Sequence, residues 1–281
     1  YQMLVRLWRP ILGQLSRVLA QTSTDAERLV ELGCPPELVS VSENLKFDVR
    51  VAKEAKATQL LKALAPAQRI IVAGSTLEGE ESALIEVWPH LQALHPDLLL
   101  VLAPRHPERF ETVAGLLRAA RIPWVRRSEW YTHPPDLHDG LVGGNIVLLD
   151  TIGELASIYS LAAVAFVGGS LVPAGGHNPL EPAQFGVPIV MGPHYANFRT
   201  ITDDLRAHDA ICIASKQELS RALIELLSDP EDARKMGERA RHVFEQQAGA
   251  TARSIDALRE ILHLPPDSEA TIRLGRAGRP A

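Results

Sequence analysis

Four loops in this 281-residue chain carry residue types suited to an anionic, hydroxyl-rich ligand. The richest is Gly168-Gly169-Ser170-Leu171-Val172-Pro173-Ala174-Gly175-Gly176-His177-Asn178-Pro179-Leu180-Glu181-Pro182. It follows an apolar run and leads into a helix, with Asn178 expected as the N-cap, Pro179 at the first helical position and Glu181 at the third. Free amides over Gly175, Gly176 and His177 are expected to form a nest for a negative group. Glu181 has the chemistry to accept two hydrogen bonds from a ribose diol. Reciprocal capping alone would also account for Glu181, but it does not require so glycine-rich an approach.

The other three loops are shorter. Ala73-Gly74-Ser75-Thr76-Leu77-Glu78-Gly79-Glu80-Glu81 reads as a strand end running into a helix, with Ser75 and Glu78 as a capping box and Ser75 as a candidate phosphate contact. Its plainer reading is a well-capped helix with acidic residues against the dipole. In Ala103-Pro104-Arg105-His106-Pro107-Glu108-Arg109, Arg105 would stand at a strand end with a fork of donors suited to phosphate; pairing with a local carboxylate is the alternative. In Asp150-Thr151-Ile152-Gly153-Glu154-Leu155, Thr151 and Glu154 form a further capping box, and Gly153 would admit a flat ring or a close backbone. Taken alone, that loop is better explained as an ordinary cap.

These loops need strands to aim them. Expected strands are Val18–Gln21, Val39–Ser42, Arg69–Ala73, Leu98–Ala103, Asn145–Leu149, Ala163–Val167, Pro188–Met191 and Ala210–Ile213. Several are continuous apolar runs, as in Leu98-Leu99-Leu100-Val101-Leu102, the pattern of parallel strands covered on both faces. Helices are expected between them. Thr24 and Glu27 box the start of one that stops at Gly33, and others cover Glu78–Leu94, Pro107–Arg121, Ile152–Ser160, Pro179–Phe185, Asn197–His208, Gln217–Ser228, Pro230–Gln247 and Ala250–Leu262. The alternation predicts an α/β fold, a Rossmann-like doubly wound parallel sheet, with ligands outside the carboxyl ends of the strands. Leu4, Leu7, Trp8, Ile11, Leu12 and Leu15 make an apolar stripe, read as a helix between domains or, alternatively, one lying on a membrane surface. The expected divisions are 1–16 for that helix, 17–264 for a Rossmann-like domain and 265–281 for an aperiodic tail.

Composition narrows the chemistry. A net charge of −5 disfavours a general nucleic-acid grip. Cys34 and Cys212 have no CxxC partner, so neither a metal site nor a disulfide framework is readable. GxxxxGK[ST] is absent, and no GxGxxG follows a strand, so neither a P-loop NTPase nor a dinucleotide Rossmann enzyme is expected. The glycines and prolines in the uncharged stretch Leu155–Gly176 argue against a spanning helix.

Taken in order, Ser42-Glu43-Asn44-Leu45-Lys46-Phe47-Asp48, Ala73–Glu81, Ala103–Phe110, Asp150–Leu155 and the run from Gly168 to Phe198, GGSLVPAGGHNPLEPAQFGVPIVMGPHYANF, resemble the 3-deoxy-D-manno-octulosonic acid (Kdo) transferases. The resemblance spans residues 1 to 262 and matches the C-terminal part of a family member. It implies the C-terminal domain of a GT-B glycosyltransferase, a CMP-Kdo donor, a lipid A precursor as acceptor, inversion at the anomeric carbon, and neither metal nor other cofactor. It also implies that Pro104, Arg105, Ile152, Gly153, Glu154, Asn178, Pro179, Leu180 and Glu181 line the CMP site. Ser75, Gly175, Gly176 and His177 would approach the donor phosphate, and Lys46 would stabilise the transition state.

Two positions depart from the family pattern: Leu77, where histidine is frequent, and Ile152, where methionine is. The resemblance further implies that the catalytic glutamate, the acceptor groove and the contact with the cytoplasmic face of the bacterial inner membrane lie in an N-terminal domain outside this chain, which alone would bind CMP without transferring Kdo. Another GT-B enzyme, such as a UDP-sugar transferase or 2-epimerase, and a non-catalytic nucleotide-binding domain are the alternatives.

Overall fold

The computed structural model describes residues 5–42, 45, 54–131, 141–247 and 249–264. The chain divides into two compact units, one made of Tyr1–Asp48 with Gln247–Ala281 and the other of Val49–Gln246.

In the first unit, α1 (Val5–Leu12) precedes β1 (Val18–Ala20), α2 (Ser23–Glu31) and β2 (Val39–Val41). β1 and β2 pair in parallel as a sheet of their own, whereas they were expected in the main sheet. α2 is capped by Thr22, whose hydroxyl accepts from the Asp25 amide, so the cap sits two residues before the expected Thr24. Its end is as expected. Gly33 adopts a positive φ, Cys34 N–H donates to the Leu29 carbonyl and Gly33 N–H to that of Val30, a Schellman closure. The last helix, α11 (Ala250–Leu262), returns to this unit. Arg253 donates to the Ser42 carbonyl at 3.1 Å, and Arg17 pairs with Glu260 at 3.0 Å. Of the expected apolar stripe, Trp8, Ile11 and Leu15 are exposed.

The second unit starts with α3 (Lys56–Leu64) and holds seven parallel strands: β3 (Arg69–Thr76), β4 (Leu98–Pro104), β5 (Trp124–Arg126), β6 (Ile146–Leu148), β7 (Ala162–Val167), β8 (Ile189–Met191) and β9 (Cys212–Ile213). Their order is β5-β6-β4-β3-β7-β8-β9. The doubly wound parallel sheet is thus as predicted, with β5 added. The apolar runs divide residue by residue between two cores. Ile71, Ala73, Leu98, Leu100 and Leu102 face one; it is closed by α4 (Glu80–Leu94), α5 (Phe110–Ala120) and α9 (Leu219–Ser228). Ile70, Val72, Leu99, Val101 and Ala103 face the other, covered by α3, α6 (Leu155–Ile158) and Tyr159. Strands buried on both faces need no polar alternation, which is why they read as continuous apolar segments. α7 (Leu180–Ala183), α8 (Arg199–Ala207) and α10 (Pro230–Gln247) complete the element order.

The winding reverses at β3. From there the chain builds outward through β4 to β5 and β6, then crosses back to lay β7 on the opposite side. The crevice at the carboxyl ends of β3 and β7 is the switch point where ligands of such sheets bind.

Candidate functional site

The loops after β3 and β7 meet so closely that side chains are excluded. A Cβ on Gly168 would overlap the Ser75 carbonyl, and one on Gly74 would overlap the Tyr159 hydroxyl. Ser75 itself takes φ 55, a left-handed conformation at the bulge in the β3–β4 pairing. The Ser75–Glu78 capping box therefore does not form, and α4 begins at Glu80 behind a left-handed Gly79.

Glu80 fills the place expected for a ligand anion. Its carboxylate is fully buried and accepts four backbone N–H groups: Leu77 and Gly169 at Oε2 (2.8 and 2.7 Å), Ser170 and Leu171 at Oε1 (both 2.8 Å). Successive amides of a glycine turn do make an anion nest, but the protein's own carboxylate occupies it. Leu77 joins this knot through its backbone, so its departure from histidine removes none of these bonds. The amides of Gly176 and His177 fold back to the carbonyls of Gly169 and Gly168, at 2.7 and 3.1 Å. Two of the three amides expected to be free over Gly175–His177 are therefore already bonded, because the loop closes on itself. What Gly176 and His177 can offer a ligand is a narrow backbone and an imidazole.

Side chains dominate what remains. Arg105 follows β4, exposed, with its amide on the Thr76 carbonyl. Glu181 sits in the first turn of α7, whose N-cap is Pro179, one residue later than expected and without a side-chain cap; Asn178 Oδ1 still accepts from Leu180 N–H at 3.0 Å. Pro179 and Leu180 are buried beneath it. Burial pushes the Glu181 carboxyl above the usual range, and the Arg105 guanidinium partly offsets this. Among the described residues neither side chain has a hydrogen bond or ion pair, although the Arg105 charge acts on Glu181. His177 lies against Gly169 and is held below its usual pKa by burial first, then by Arg105 and His106. Tyr159, 2% exposed, has its phenol pushed well up by burial and by the Glu181 charge. Sequence reasoning missed Tyr159, whose aromatic side chain reads simply as core.

The loop after β6 is divided in direction. Ile152 is 80% exposed, and Gly153, at φ 84, has open space where a Cβ would be. Glu154 points inward. Its Oε1 accepts from Arg127 Nη2 at 2.8 Å and Ala57 N–H at 3.2 Å, and Thr151 donates to Oε2. The Thr151–Glu154 contact was expected, but the carboxylate is committed to a buried arginine and to the start of α3. Glu154 therefore sets the loop from behind and does not present its carboxylate to a ligand. Asp150 anchors the same loop, accepting from Ser128 N–H and Oγ–H. Pro104 is buried at the end of β4. Arg105, Ile152, Gly153, His177 and Glu181 thus all follow strands at the carboxyl edge of one sheet. Lys46 lies outside the described residues.

Residues 1–49 match the family model described as 3-Deoxy-D-manno-octulosonic-acid transferase (kdotransferase), and residues 141–243 match the model for glycosyl transferases group 1. The first match ends one residue beyond the first unit's N-terminal stretch, Tyr1–Asp48. A 3-deoxy-D-manno-octulosonic acid transferase of Bordetella pertussis is 38% identical over 259 residues, covering 90% of this chain. One of Haemophilus influenzae is 35% identical over 254 residues, covering 89%. The chain spans 58% of the length of each. The crystal structure of the C-terminal CMP-Kdo binding domain of WaaA from Acinetobacter baumannii is 32% identical, with a TM-score of 0.59, and the match covers 67% of this chain and 95% of that one. With the fold of a GT-B carboxyl-terminal domain and relatives of this kind, the chain belongs to the 3-deoxy-D-manno-octulosonic acid transferase family of glycosyltransferases.

Proposed function

We propose that this chain is the donor-binding part of an enzyme that transfers Kdo from CMP-Kdo to a lipid A precursor, working at the cytoplasmic face of a bacterial inner membrane. The observation that carries the reading is that the Arg105 charge acts on a half-buried Glu181 carboxyl while neither side chain has a partner among the described residues. Two opposite charges, one exposed and one half-buried, act on each other without pairing. A nucleoside monophosphate completes both: its phosphate on the Arg105 fork, its ribose diol on the Glu181 carboxylate. The base then lies toward Pro104, Ile152 and Gly153, where the backbone is open. Family membership and the WaaA domain described as CMP-Kdo binding support cytidine as that base.

In this reading the acceptor hydroxyl attacks the anomeric carbon of Kdo and gives its proton to a carboxylate base. The bond from that carbon to the phosphate oxygen breaks, the centre inverts, and CMP leaves as the anion. Arg105 and Lys46 stabilise the charge that develops on the phosphate, and no metal ion is needed for this assignment. No helix among the described residues is long and apolar enough to cross a membrane.

Calorimetric titration tests the donor assignment. CMP is expected to bind more tightly than UMP or UDP, and Arg105→Ala and Glu181→Gln each to weaken CMP by about tenfold or more. Equal affinity for the three nucleotides overturns the cytidine reading. In the full-length protein, unchanged Kdo transfer after Lys46→Ala overturns its catalytic role.

A further inference from the structure

A second cavity lies beside the glycine-rich loop. It has a volume of about 370 Å³, near the lower end of small-molecule sites. Gly175, His194, Tyr195, Arg199 and Asp203 contribute to its lining. Its walls are stitched together. Asn197 N–H donates to the Gly175 carbonyl at 2.9 Å, Asn197 Nδ2 to the Ala174 carbonyl at 3.1 Å, and His194 N–H to the Ser170 carbonyl at 2.9 Å. A Cβ on Gly175 would meet the Asn197 amide and force the two loops apart. Gly175 is therefore required by this seam as well as by its positive φ of 88.

The functional groups at the cavity form a selective set. Arg199 is exposed, and among the described residues its guanidinium has no hydrogen bond or ion pair. The His194 ring likewise has none. Asp203 stands 3.7 Å from Arg206, which also donates to the Tyr195 hydroxyl at 2.9 Å. A fork of donors beside a carboxylate acceptor suits a ligand that carries a carboxylate and several hydroxyls. A bare phosphate would meet repulsion from Asp203. An apolar chain would leave the charged groups desolvated and unpaired.

We propose that this cavity is a subsite for a hydroxylated sugar acid, with its carboxylate on Arg199 and its hydroxyls shared among Asp203, His194 and Tyr195. The assignment rests on the reading of the adjoining loop as part of a nucleotide-sugar donor site, and it makes the cavity the place where the Kdo moiety is told apart from a neutral sugar. One charge-assisted bidentate contact is enough for a tenfold preference of that kind.

The test compares CMP, CMP-Kdo and free Kdo on the 281-residue chain. The wild type is expected to bind CMP-Kdo about tenfold more tightly than CMP. Arg199→Ala should keep CMP affinity within about twofold and lose that increment, with Arg199→Lys restoring part of it. An increment fully kept in both Arg199→Ala and Asp203→Asn overturns the proposal. So does an equal loss of affinity for CMP and CMP-Kdo in Arg199→Ala, which would give the cavity to the nucleotide instead. If the wild type fails to bind CMP, the donor reading itself falls, and titration with free Kdo followed by NMR then decides the subsite. Shifts confined to Gly175, His194, Tyr195 and Arg199 and absent in Arg199→Ala sustain it; no shifts at these positions sink it. Arg199 is solvent-exposed, so an unchanged melting temperature verifies the fold of the variant.

Discussion

Glu181 is kept in a state that the fold alone disfavours. Its carboxyl is raised by burial, with Arg105 offsetting only part of the effect, and among the described residues no protein donor satisfies it. A carboxyl whose folded pKa lies above its unfolded one contributes stability at low pH, and that contribution is lost as pH rises through the folded value. At neutral pH the charge is therefore a burden on folding. Glu181→Gln is expected to stabilise the chain at pH 7 by about 1 kcal/mol, with the gain vanishing at acid pH, as urea unfolding across pH would reveal. The same variant should lose CMP affinity. Binding in the wild type should weaken as pH falls through the raised Glu181 value, because the protonated carboxyl no longer accepts both hydroxyls of the diol. A CMP affinity that is flat with pH in wild type and variant alike would remove Glu181 from the nucleotide site. His177 is held below its usual pKa by burial first and then by Arg105 and His106, which favours its neutral form.

At the scale of elements, the Glu80 knot fixes the switch point. One buried carboxylate ties the start of α4 to three successive amides after β7, and two loops distant in the chain become one rigid rim. Replacing Glu80 by Ala strands four donors, and an unfolding cost of about 3 kcal/mol or more is expected by urea denaturation. Thr22→Ala, which removes a half-buried cap, should cost about 1 kcal/mol. A Glu80→Ala variant as stable as wild type would show that water replaces the carboxylate without loss. This knot also marks where sequence reading stops. Glu80 and Gly169 are 89 residues apart, and no local pattern announces that one fills the nest of the other. Ser75 and Glu78 satisfied the spacing of a capping box, yet the bulge at Ser75 moved the helix start to Glu80. By contrast β3, β4 and β7 were legible because both their faces are buried. β5 was not, since Trp124–Arg126 is three half-buried residues ending in an arginine. β1 and β2 were legible as strands but not as a separate sheet, because strand partnership is a long-range choice that a hydrophobic period leaves open.

At the scale of the whole chain, the unit Val49–Gln246 contains every described residue of the candidate site: Arg105, Ile152, Gly153, His177 and Glu181, with the Glu80 knot and the Arg127–Glu154 pair that support them. It also holds both hydrophobic cores, each with a strand face and the helices that close it. A unit with its own sheet and its own cores has what independent folding requires. Residues 49–246 expressed alone are therefore expected to unfold in one cooperative transition and to bind CMP within about twofold of the 281-residue chain. Lys46 lies outside that unit, so the fragment also separates binding from catalysis. If Lys46 acts only on charge that develops as CMP departs, removing it should leave ground-state affinity for CMP unchanged. Retained folding with lost CMP affinity would show that the nucleotide is held in part by residues outside 49–246, and the donor assignment to this unit alone would fall.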